Sequence, residues 1–74
     1  MKYTVFIEQT PNNYAAYVPD LPGCVATAGT RQKVLEEIRE AIEFHIEGMR
    51  EDAVPIPEPN STAAVVDATV AAAR

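Results

Sequence analysis

From Lys2 to Gln9 the chain alternates, with Tyr3, Val5 and Ile7 on one face and Thr4, Phe6 and Glu8 on the other, in a run rich in β-branched and aromatic residues. That period of two predicts a strand. Thr10-Pro11-Asn12-Asn13 follows, with a proline that cannot donate to a ladder and two asparagines that tolerate turn geometry. A hairpin return over 14–18 is the economical continuation, with Tyr14, Ala16 and Val18 on one face and Ala15 and Tyr17 on the other. Pro19-Asp20-Leu21-Pro22-Gly23 then forms a corner: each proline restricts its own φ and the preceding residue, and Gly23 tolerates positive φ. A third strand is expected near 24–28, which completes a meander.

At Thr30 the period changes to that of a helix. Val34, Ile38, Ala41, Ile42, His45 and Met49 fall on one side, and Glu36, Glu40, Glu43, Glu47 and Glu51 recur on the other along about four turns. Thr30 is a good N-cap, but Lys33 stands where a capping box has Glu or Gln, so the cap is half built. Gly48 weakens the helix late, and Pro55, Pro57 and Pro59 forbid its continuation. The helix should therefore end near Asp52 and give way to an extended, polyproline-like connection over 54–60. Beyond Ser61, in TAAVVDATVAAAR, alanine favours helix while Val65, Val66, Thr69 and Val70 favour strand. Since the sheet has an edge to cover, a fourth strand is expected over 63–70. The fold class is α+β, in the order β-β-β-α-β, with one antiparallel sheet, a single long helix packed on one face, and one domain over 1–74.

Size limits the core. A chain of 74 residues buries only about 60% of the surface its unfolded state exposes. Cys24 is the only cysteine and His45 the only histidine, so neither disulfides nor a metal framework can compensate. Self-association is the expected remedy, as a homodimer or homotetramer. Phe6 and Tyr17, on the sheet face away from the helix, or the final strand would supply the interface. The net charge of −5 repels phosphate backbones and attracts basic proteins. No signal-peptide pattern and no run of about 18 apolar residues is present, so the chain reads as cytoplasmic with no membrane partner.

The chemistry-bearing residues have ordinary readings beside functional ones. Cys24 reads as core packing, and His45 as a packed, hydrogen-bonded residue of the apolar arc. Glu8, Asp20 and Asp67 are the acids a two-metal nuclease would need, but no two are adjacent on strands and the negative field opposes an RNA substrate. The glutamate stripe is either a solvated helix back or a surface that steers a basic partner. Arg39 is spaced to support Glu36 and Glu43.

Taken together, Tyr14-x-Ala16-x-Val18-Pro19-Asp20-Leu21-Pro22-Gly23-Cys24, Gly29 before the Thr30 cap, Glu40-Ala41-Ile42 and Pro55-Ile56-Pro57 form a pattern. From Tyr14 through Pro59 the sequence resembles the HicB-like antitoxins. That resemblance implies a reduced ribonuclease H-like sheet and tight binding to a small, basic HicA-type toxin that cleaves messenger RNA. It further implies stoichiometric masking, without turnover or cofactor. The candidate partner-binding residues are Glu36, Glu40, Glu43 and Glu47, with Asp20 to pair with a toxin lysine or arginine and Leu21 as an apolar anchor. Prolines and a glycine at that corner are also explained by backbone geometry alone. Many family members continue into a C-terminal DNA-binding module; this chain stops at Arg74, so direct DNA binding is not expected. The alternative from another class is a stand-alone oligomeric scaffold or regulatory protein with no toxin partner, and a nuclease is the third.

Overall fold

Two antiparallel ladders organise the computed structural model, which describes residues 1–71. Strand β1 (Phe6–Gln9) pairs with β2 (Tyr14–Tyr17), and β2 with β3 (Val25–Ala28), in the spatial order β1-β2-β3. Helix α1 (Arg31–Glu51) follows and packs on β3 and β2. β1 is shorter than its alternation predicts, because its ladder partner stops at Tyr17 opposite Phe6 and the chain beyond turns away. Residues 2–5 continue the alternation without a ladder.

The β1–β2 turn is closed by the Thr10 amide donating to the Asn13 carbonyl at 2.8 Å, and the Asn13 amide donates back to the Thr10 hydroxyl at 3.0 Å. The β2–β3 corner is two consecutive β-turns. The Leu21 amide donates to the Val18 carbonyl at 3.1 Å and the Cys24 amide to the Leu21 carbonyl at 3.0 Å. Each turn carries proline in its second position, where the fixed φ is already correct. Gly23, at φ +86°, occupies the third position of the second turn, which a type II turn reserves for positive φ. The Val18 amide closes the corner on the Cys24 carbonyl at 3.2 Å.

Thr30 caps α1 by accepting from the Lys33 amide at 3.0 Å, and its backbone is extended as an N-cap requires. At the other end the Ala53 amide donates to Arg50 and the Val54 amide to Met49, the pair of bonds of a Schellman motif. That motif places Ala53 at φ +56°, a left-handed position usually given to glycine.

The fully buried core is small: Ala16, Val18, Leu21, Cys24, Val34 and Ile38. Tyr3, Val5, Ile7, Tyr14, Ala26, Ala28, Ala41, Ile42 and Ile46 pack around it, so the helix covers the face carrying the odd-numbered side chains of β1. His45 is only half-buried, at the margin of the apolar arc.

One element departs from expectation. The segment 63–70 forms no strand, and residues 54–71 have no regular secondary structure. Val65, Val66 and Val70 are exposed, so β1 keeps an open edge. A strand needs a ladder partner as well as β-propensity, and within this chain the tail takes none. The α+β architecture of three strands and one long helix stands without it.

Candidate partner-binding site

The back of α1 is built by helical spacing alone. With Val34 and Ile38 turned into the core, Glu36, Glu40, Glu43 and Glu47 come out on the opposite side, and all four are exposed. The ion pairs formed among the described residues are Lys33–Glu36 at 3.8 Å and Glu47–Arg50 at 3.9 Å, not the Arg39 pairs that the spacing allows. Both are long and solvent-exposed, so they leave the stripe's field largely intact.

Within that back stands Phe44, 84% exposed, one helical step from Glu40 and Glu47. The sequence pattern passes over it, because it belongs neither to the buried arc nor to the acids. Its signal was an aromatic out of phase with Val34, Ile38 and Ala41. An aromatic ring ringed by carboxylates offers an apolar contact inside a charged surface.

The other sheet face is uncovered. Phe6 and Tyr17 are ladder partners with ring centroids 5.4 Å apart, and Val25 is the partner of Tyr17 on the next strand. Tyr17 is 40% and Val25 63% exposed, so an apolar strip crosses all three strands.

Asp20 and Leu21 each have a role within the fold of this chain. Leu21 is completely buried, because the double turn directs its side chain under α1, and it is unavailable as an anchor. Asp20 holds the C-terminal segment: one carboxylate oxygen accepts from the Asn60 and Ser61 amides, both at 2.9 Å, and the other from the Ser61 hydroxyl at 2.8 Å. The Ser61 and Asn60 amides favour its ionised form and hold its carboxyl below the ordinary 3.8, with the Ser61 hydroxyl adding to them. Nearby the Thr4 hydroxyl donates to the Ser61 carbonyl at 2.7 Å, and the Tyr3 hydroxyl to the Pro57 carbonyl. Burial, then the charges of Glu58 and Asp20, push the Tyr3 phenol up, which keeps it protonated as a donor. Cys24 is buried and free, and burial pushes its thiol up, away from the reactive thiolate.

Glu8 and Asp20 do not converge: Glu8 is opposite Ala15 in the ladder, whereas Asp20 is bound to Asn60 and Ser61. Among the described residues, no three His, Cys, Asp or Glu side chains are grouped to hold a metal ion. No helix of the described residues is long and apolar enough to cross a membrane.

The family model of the HicB-like antitoxin of bacterial toxin-antitoxin systems matches residues 3–71. The chain belongs to the HicB-like antitoxin family. Among its curated relatives, a 14.9 kDa protein of Haemophilus phage HP1 is 42% identical over 60 residues, which are 81% of this chain and 45% of that protein. The chain thus spans less than half of the phage relative. A UPF0150 protein of Thermoplasma acidophilum is 38% identical over 69 residues, covering 92% of this chain and all of the relative. Among solved structures, a chain of the HicA3 and HicB3 toxin-antitoxin complex superposes with a TM-score of 0.69 at 30% identity, over 81% of this chain and 70% of its own. In this chain the Pro19–Gly23 corner organises the fold, and the helix back and the open sheet face are both exposed.

Proposed function

We propose that this chain is the antitoxin-like subunit of a type II toxin-antitoxin pair and neutralises a HicA-type ribonuclease by masking it. The observation that carries the reading is its likeness, at 30% identity, to a chain found in a toxin-antitoxin complex. Family membership over residues 3–71 supports the same role, a binding one rather than a catalytic one. Masking requires no cofactor and no turnover, only a surface that competes with RNA for a basic active site.

The back of α1 supports that chemistry. Glu36, Glu40, Glu43 and Glu47 mimic the negative charge of the substrate backbone, and a chain of net charge −5 attracts a basic partner over the range that salt permits. Phe44 supplies the apolar contact that charge alone does not. Steering of this kind acts mainly on the association rate.

Titration of the purified chain into an RNA-cleavage assay of a HicA-type toxin co-expressed with it tests the reading. Inhibition should reach completion at a fixed molar ratio and be accompanied by a stable complex. A toxin that stays active in excess of this chain, with no complex recovered, would leave the oligomeric scaffold as the function.

A further inference from the structure

The unfilled edge of the sheet and the unpaired tail are complementary. Between α1 and the residues that lead into β1 runs a groove of about 530 Å³, lined on one side by Tyr3 and Val5 and on the helix side by Leu35, Ile42 and Ile46. A second hollow of about 400 Å³ continues it along β1, and its lining includes Phe6 and Ile7, neighbours on opposite faces of the strand, as the open edge of a sheet does. Because α1 packs on β3 and β2, the groove lies toward the open β1 side of the sheet, where a fourth strand would lie.

The tail has the pattern of that strand. In 63–70 the alternate positions Ala64, Val66, Ala68 and Val70 are all apolar, and Asp67 is the only charge. Eight residues extend over about 26 Å. Yet the tail stands free, with Val65, Val66 and Val70 exposed, and the radius of gyration is 15.5 Å where about 11 Å suits a compact chain of this length.

The root of the tail decides whose groove it enters. Ser61 is fixed by Asp20 and by Thr4, whose side chain alternates with those of Tyr3 and Val5. Beyond Ser61 the chain stays out of its own groove, with Val65, Val66 and Val70 exposed. We infer that residues 62–70 are an exchange arm: the tail of each copy adds as a strand to the β1 edge of a second copy, with Val66 and Val70 in the β1–α1 groove. Reciprocal insertion gives a closed two-fold dimer and covers both open edges. The inference is independent of any toxin.

Sedimentation equilibrium of the full chain at micromolar concentration, joined to amide exchange of residues 6–9, tests it. The full chain should sediment as a dimer with the outward-pointing amides of that stretch, those that β2 does not bond, protected. Val66→Asp and a truncation after Ser61, each with unchanged helical circular dichroism, should sediment as monomers and lose that protection. Three outcomes would overturn it: a full-length monomer with a protected tail, meaning the strand docks within one chain; a full-length monomer with a freely exchanging tail; and a dimer that survives both changes, meaning the Phe6–Tyr17 face is the interface. A tail that becomes protected only when a toxin is added would overturn it equally.

Discussion

Replacing Leu21 with alanine separates a fold organiser from a partner contact. Leu21 is completely buried in the same cluster as Val34 and Ile38, at the junction of two proline-stiffened turns that restrict collapse around a vacancy. For such a side chain, Leu→Ala costs about 2–5 kcal/mol, and the rigid corner argues for about 3. At about 0.05–0.15 kcal/mol per residue, a domain of 74 residues has roughly 4–11 kcal/mol in total, and this thin core belongs near the lower end. From about 5 kcal/mol, the loss raises the unfolded fraction from about 2 in 10,000 to about 3% and lowers Tm by about 12–24 °C. Urea denaturation followed by circular dichroism measures it, with Leu21→Met as the volume-conserving control costing less than about 1.5 kcal/mol. A Leu21→Ala chain within about 1 kcal/mol of wild type that nevertheless loses its partner would refute the reasoning and restore Leu21 as an anchor.

Asp20→Asn should loosen the 60–61 segment, and its effect should depend on pH. Since the folded carboxyl is held below 3.8, its stabilisation is complete above that value and disappears as pH falls through the lower folded-state value. Wild type and variant melts should therefore converge in acid; a gap that persists to the acid end of the titration contradicts this. Ala53→Gly relieves about 1–2 kcal/mol of left-handed strain and returns about 0.5–1 kcal/mol of chain entropy, for a net gain of about 0.5–1 kcal/mol in urea; an unchanged midpoint would show that the φ of +56° is not strained. Phe44→Ala should leave the melt within about 0.5 kcal/mol of wild type while accelerating dissociation of a toxin complex at least about tenfold. Glu40→Lys with Glu43→Lys should instead slow association and flatten its salt dependence; a salt-insensitive wild-type rate would remove the steering role from the helix back.

Features that neighbours along the chain decide could be read from the residues alone. Alternation in residues 3–8, two prolines and a glycine in the corner, a threonine cap and a run of 3.6-residue period each act within a few residues, so three strands, their faces and the helix ends were legible. The glutamate stripe was legible for the same reason, and the combined pattern from Tyr14 through Pro59 pointed to the family. Decisions that needed distant partners were not legible. Whether Leu21 turns in or out depends on where α1 lies over the corner. That Asp20 serves the chain's own segment depends on contacts forty residues away, with Asn60 and Ser61. The tail carries the propensity of a strand, but a strand exists only where a second edge accepts its hydrogen bonds, and that choice belongs to the tertiary and quaternary arrangement.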